Sequence, residues 1–222
     1  MPGTAAAYLF LLGLACGIGL LTMTAYLQVT PAWLKWLLLA TGAFVMSRYI
    51  AMFVLATATS PGDLGLLRHC WFATSLGLTL QNTYAVDQLV RHPAMTPRKV
   101  LLWYSPFLAV YAAVILFGGT VAVPDRVLGW TLRLTRPWQA ILSLTHAVFV
   151  IVYLGTCAFL MRKIPVRPIR LGLAGLMLGQ LALTVDGAIL ALGGWYFRPY
   201  VFSEMLMLIV LWHAYRTGPS LP

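Results

Sequence analysis

Charge is what this sequence has least of. Of its 222 residues only 9% are charged, and the acids are confined to Asp63, Asp87, Asp125, Asp186 and Glu204. A soluble domain carries about 25% charged residues. With 61% hydrophobic residues and a mean hydropathy of +0.86, the chain falls outside the soluble range and reads as an integral membrane protein. Cysteine is nearly as scarce. Cys16, Cys70 and Cys157 are odd in number and widely spaced, which excludes a disulfide framework or a paired-cysteine metal motif and leaves three small packing residues. Asparagine occurs only as Asn82, and lysine only as Lys35, Lys99 and Lys163 against twelve arginines. That Arg bias is an association with GC-rich bacterial genomes.

What the sequence has in plenty is long apolar runs. Seven can be read, at about 7–28, 33–57, 66–90, 100–121, 138–160, 170–193 and 199–215, each near the ~20 residues that a membrane-crossing helix needs. The expected fold is therefore an all-α, seven-helix membrane bundle forming one domain over 1–222, with no stretch left for a soluble catalytic or signalling unit. The first run lacks a basic start and exceeds the core length of a signal peptide, so it reads as helix 1.

Cytoplasmic loops are enriched in Lys and Arg. An N-terminus outside gathers Lys35, Arg91, Arg98, Lys99, Arg162, Lys163, Arg167, Arg170 and Arg216 on the inner side, and leaves Arg68, Arg126, Arg133, Arg136 and Arg198 outside. The expected topology is N-terminus out and C-terminus cytoplasmic, in a bacterial inner membrane. The net charge of +10 then reads as anchors facing anionic lipid, with no call on nucleic acid. Trp33, Trp36, Trp71, Trp103, Trp130, Trp138, Trp195 and Trp212 all lie near span ends, the headgroup level that amphipathic rings prefer. Between spans 4 and 5, Leu128, Trp130, Leu132 and Leu134 alternate with Gly129, Thr131, Arg133 and Thr135. Period two predicts an extended segment with one greasy face, either capping the bundle mouth or resting on the membrane interface.

Charged groups at membrane depth are costly and are candidates for function. Arg48, His146, Asp186 and Glu204 qualify. At 1.5 Å per residue they lie about 13, 12, 10 and 8 Å below the outer ends of their spans, so all four belong to the outer half. Asp186 shares a helix face with Gly175, Gly179, Ala182 and Gly193, the small-residue surface by which membrane helices pack closely. Gln139, Ser143, His146 and Tyr153 form one stripe on span 5, and Ser75, Thr79 and Asn82 another on span 3. The expectation is a polar cavity opening outward, with Arg48, Tyr49, Asn82, Gln139, Ser143, His146, Asp186 and Glu204 as ligand-binding residues. The bland alternative is a buried network in which Arg48 pairs with one acid and His146 donates to the other. Asp87, four residues before Arg91, reads as a local anchor.

Every lysine lies at the inner border, which excludes a retinal Schiff base. There is no paired-histidine metal signature, no serine-nucleophile motif, no phosphate-cradling glycine loop and no residue pattern implying a cofactor. Three functions fit what remains. The first is a receptor-like sensory protein with an outer ligand cavity and a cytoplasmic protein partner at the basic loops 91–99 and 162–170. The second is a proton-coupled carrier or ion pathway that protonates Asp186 or Glu204. The third is a membrane enzyme acting on a lipid or isoprenoid, with Asp186, Glu204 and His146 as its catalytic acid–base residues and Tyr49, Trp195, Tyr196, Phe197 and Tyr200 along its pocket.

Overall fold

A computed structural model describes residues 2–58, 64–124, 129–191 and 201–218. The described chain is almost entirely helical. Its helices are α1 (Pro2–Tyr26), α2 (Ala32–Thr57), α3 (Arg68–Trp71), α4 (Ala73–Val90), α5 (Pro97–Phe117), α6 (Arg136–Lys163), α7 (Arg167–Ala191) and α8 (Val201–Thr217), with a short 3₁₀ turn at Leu64–Leu67. These elements fall on the expected runs. Five of them, α1, α2, α5, α6 and α7, are long and apolar enough to cross a bilayer, and the protein is an all-α membrane protein. At 28 residues, α6 measures about 42 Å at the standard rise, well beyond the ~30 Å hydrocarbon core.

The third apolar run is not the single rod expected over 66–90. Helix α3 ends at Trp71, and Phe72 leaves helical geometry (φ −97°, ψ 12°) before α4 begins. A break of this kind strands carbonyl groups that an unbroken helix would bond internally. One of them, on Trp71, becomes part of the site described below.

Helix packing forms a closed circuit in which α1 meets α2, α2 meets α4, α4 meets α5, α5 meets α6, α6 meets α7, α7 meets α8, and α8 returns to α1. Helix α4 also touches α6, α7 and α8, so it runs through the middle of the bundle. That position explains its composition. Twelve of its 18 residues are buried, among them Thr74, Thr79, Gln81, Asn82 and Gln88. A helix surrounded by other helices needs polar partners more than it needs a lipid-compatible surface.

Glycines set the closest approaches. A methyl group at Gly77 of α4 would lie 2.4 Å from Val45 Cγ2 and 3.2 Å from the Thr41 carbonyl oxygen of α2, so the bare backbone is what admits the contact. On α7, Gly175 faces Val210 and Gly179 faces Met207 of α8, which is the role expected of that small-residue face. The outward surface is apolar, with Phe10, Trp36, Leu102, Trp103, Leu144 and Ile151 each more than 65% exposed, as a bilayer-facing surface requires.

The segment between α5 and α6 is extended, as its alternation predicts, and it pairs with a strand that the alternation did not reveal. Strands β1 (Thr120–Pro124) and β2 (Trp130–Leu134) form an antiparallel hairpin with Ala122 opposite Leu132. Leu132 and Leu134 are buried, and β2 packs on α2. Gly129 adopts φ +45°, and a Cβ there would lie 2.5 Å from the Leu55 carbonyl oxygen. Only glycine permits both that backbone and that approach, which docks the hairpin on the end of α2.

Candidate functional site

The site begins with Arg48, in the last third of α2 and buried. Its Nη2 lies 3.1 Å from Glu204 Oε1, and its Nη1 donates to the Trp71 carbonyl oxygen at 2.7 Å. The guanidinium carbon also sits 5.5 Å from the centre of the Trp71 ring, within the range of a cation–π contact. The break at Phe72 therefore has a direct consequence, since the Trp71 carbonyl that it strands is taken by Arg48. Trp71 is buried and serves the cation instead of a headgroup belt, a departure from the expectation drawn from its place near a span end.

Glu204 lies in the first turn of α8 and is 1% exposed. A helix N-terminus carries partial positive charge and suits a carboxylate. Tyr49 and Thr74 lie beside this carboxyl, and Asp186 is near enough for its charge to act on it. The Tyr49 hydroxyl and the Thr74 side chain are each placed to donate a hydrogen bond to this carboxyl. Asp186 is half-buried on the face of α7 that packs against α8. Arg48, Tyr49, Asp186 and Glu204 thus form one centre contributed by α2, α7 and α8, with Trp71 and Thr74 of α3 and α4 closing it.

His146 does not join this centre. Its Nδ1 is 3.2 Å from the Tyr111 hydroxyl of α5, and its Nε2 is 3.5 Å from the Gln180 amide nitrogen of α7. Gln180 Oε1 in turn accepts from Asn82 Nδ2 at 3.0 Å. With the Gln180 amide donating, Nε2 accepts, and Nδ1 carries the proton toward Tyr111. Thr74, beside Glu204, and Asn82, in this second node, are eight residues apart on α4, a separation of about 12 Å. The expected convergence of four ionisable groups is thus two polar nodes. One is charged and centred on Arg48–Glu204, and the other joins His146, Tyr111, Gln180 and Asn82. The axial level differs between the two sets.

Gln139 and Ser143 are exposed. The stripe that they share with His146 turns inward only from His146 onward, through Phe149, Tyr153 and Cys157. Trp195, Tyr196, Phe197 and Tyr200, expected along a pocket, lie outside the described residues, as do Gly193, Asp63, Asp125, Arg126 and Arg198. Sequence reasoning did not find Trp71, Thr74 or Tyr111. Thr74 and Tyr111 are ordinary residues at span positions, and nothing local marked the helix break that recruits Trp71. Among the described residues no three His, Cys, Asp or Glu side chains come together in a way that would hold a metal ion. No protein-family model matches the chain, and no curated protein and no solved structure matches it.

The two nodes should differ in energetic weight. Removing one member of a buried ion pair leaves an uncompensated charge and costs about 3–5 kcal/mol, whereas stranding neutral hydrogen-bond partners costs about 1–3 kcal/mol. Arg48→Met should therefore lower the unfolding free energy in mixed micelles by about 3–5 kcal/mol, and His146→Leu by about 1–3 kcal/mol. The reverse order would contradict the assignment of charge to the first node.

Proposed function

We propose that the chain is a seven-span, receptor-like protein of a bacterial inner membrane, with its N-terminus outside and its C-terminus cytoplasmic. In this reading it holds a small polar ligand at the Arg48–Glu204 centre in the outer half of the bundle. The basic segments 91–99 and 162–170 face the cytoplasm and are the surface available to a protein partner.

For the span count, α4 and α8 join the five long apolar helices. At 18 and 17 residues they measure about 27 and 26 Å, close to the hydrocarbon thickness. The modest apolarity of α4 follows from its central place, because surrounding helices shield it from lipid. The distribution of Lys and Arg supports the orientation.

One observation supports the ligand reading: a buried cation, Arg48, and the buried Glu204 carboxyl are brought together inside the bundle with Tyr49, and a second acid, Asp186, is close enough for its charge to act on Glu204. A small molecule bearing a positively charged donor would be drawn to these neighbouring acids.

A second reading, an ion or proton pathway, has its own support in polar contacts that continue along α4. Gln81 Nε2 donates to Thr41 Oγ1 at 3.4 Å, the Tyr215 hydroxyl donates to the Gln81 carbonyl oxygen at 2.6 Å, and the Tyr84 hydroxyl donates to the Pro97 carbonyl oxygen at 3.0 Å. These hydroxyl and amide links extend from the level of His146 toward Asp87. A pathway requires flux, so reconstituted vesicles under a pH gradient separate the two readings.

Two measurements test the proposal. A high-resolution map of the purified protein in lipid nanodiscs should contain non-protein density larger than a water molecule between Glu204, Tyr49 and Asp186, and that density should be gone in the Tyr49→Phe, Glu204→Gln protein. Ordered water alone at this position would refute a ligand site. For topology, cysteines are introduced singly at Ala94 and Thr131 of a protein in which Cys16, Cys70 and Cys157 are replaced by alanine. A membrane-impermeant maleimide should label position 131 in intact cells and position 94 only after permeabilisation; the opposite pattern would invert the orientation.

A further inference from the structure

A cleft of about 620 Å³ opens where α6 turns into α7, at the opposite end of the bundle from the Arg48–Glu204 centre. Its rim carries Arg162, Lys163 and Arg170, and its floor carries Ala158, Met161 and Met177. The two ends are chemically distinct. From Arg170 to Met177 the wall of α7 descends about 10 Å, and from Lys163 to Ala158 the wall of α6 descends about 7 Å, so the cleft passes from a cationic rim to an apolar base.

The electrostatics at the rim are unfavourable as they stand. Arg162 and Lys163 end α6, where cations complement the helix dipole. Arg170, with Arg167, begins α7, and no acid occupies that first turn, so two cations face the positive end of a second dipole. Among the described residues no carboxylate forms a salt bridge with Arg162, Lys163 or Arg170, and all three are exposed. Lys163 lies over the Phe159 ring at 5.8 Å, a ring that is itself 59% exposed. The outer faces of both helices beside the cleft are apolar, with Phe159, Leu171 and Leu178 each at least 59% exposed.

We propose that this cleft is a binding site for an anionic phospholipid, with the phosphate diester held by Arg162, Lys163 and Arg170 and the start of an acyl chain held over Ala158, Met161 and Met177. Basic pockets between membrane helices suit such headgroups. A guanidinium pairs with two phosphate oxygens at once, and the two arginines here approach from different helices. The apolar floor, continuous with the bilayer-facing surface, separates a lipid from a free anion, because a free anion would gain nothing from it. Arg167 does not line the cleft and stays available to the cytoplasmic partner. The assignment needs only a membrane setting, so it stands or falls separately from the ligand proposed at Arg48–Glu204.

The test is native mass spectrometry of the full chain in detergent, with dioleoyl phosphatidylglycerol, dioleoyl phosphatidylcholine and sodium phosphate as separate probes. Wild-type protein should retain phosphatidylglycerol in preference to phosphatidylcholine. Replacing Arg162, Lys163 and Arg170 together by glutamine should weaken phosphatidylglycerol retention on the order of 100-fold, since each basic group near a headgroup contributes a factor of about five. Met177→Trp, which fills the floor, should weaken it as well, with the melting temperature of each variant measured to confirm folding. A matching triple replacement of Arg91, Arg98 and Lys99 should leave retention unchanged. Equal loss in that control, unaltered retention in the rim variant, or displacement of the lipid by equimolar sodium phosphate would each overturn the proposal.

Discussion

The contact on which one end of this bundle depends is the buried pair of Arg48 and Glu204. A guanidinium brought into a low-dielectric interior forfeits hydration that a single carboxylate does not fully replace. Here the deficit is met from three directions: Glu204 at 3.1 Å, the Trp71 carbonyl oxygen at 2.7 Å and the face of the Trp71 ring. These partners come from α8 and α3, so satisfying one cation ties two stretches of chain, far apart in sequence, to α2. The helix break at Phe72 belongs to this arrangement, since an uninterrupted helix would have used that carbonyl internally.

The placement of α4 follows from the same reasoning. Its polar side chains would be costly against lipid, and in the centre of the bundle they find partners on several neighbours. Asn82 bonds Gln180 of α7, Gln81 bonds Thr41 of α2, and Thr79 bonds Tyr104 of α5. Close approach is made possible by Gly77 against α2. Each interhelical hydrogen bond of this kind contributes on the order of 1 kcal/mol, and together they fix the level of α4 relative to its neighbours. The same contacts hold His146 at a level about 12 Å from Glu204, which separates a charged node from a neutral one.

The membrane character, the approximate position of most helices and the face on which Asp186 lies were legible from the sequence because they rest on hydropathy and on a 100° periodicity, both local quantities. The extended segment ending at Leu134 was legible from an equally local signal, its period-two alternation. What could not be read was anything requiring the relative height of two helices. His146 and Asp186 counted to similar depths, yet His146 meets Gln180, six residues before Asp186. Gln139 and Ser143 share the phase of His146 but emerge at the overlong end of α6. Strand β1 carries no alternation strong enough to distinguish it from the end of α5, and the helix break at Phe72 has no proline or glycine to mark it.

The coupling between Arg48 and Glu204 tests this account most directly. Unfolding free energies of the wild type, Arg48→Met, Glu204→Leu and the double variant, measured in the same mixed micelles, isolate the pairwise contribution from the effects of each side chain alone. A clamp of the kind described predicts a favourable coupling of about 2–3 kcal/mol, with the double variant more stable than the sum of the single losses implies. Strict additivity, with a coupling indistinguishable from zero, would show that the two groups do not depend on each other and would remove the interaction on which this end of the bundle is built.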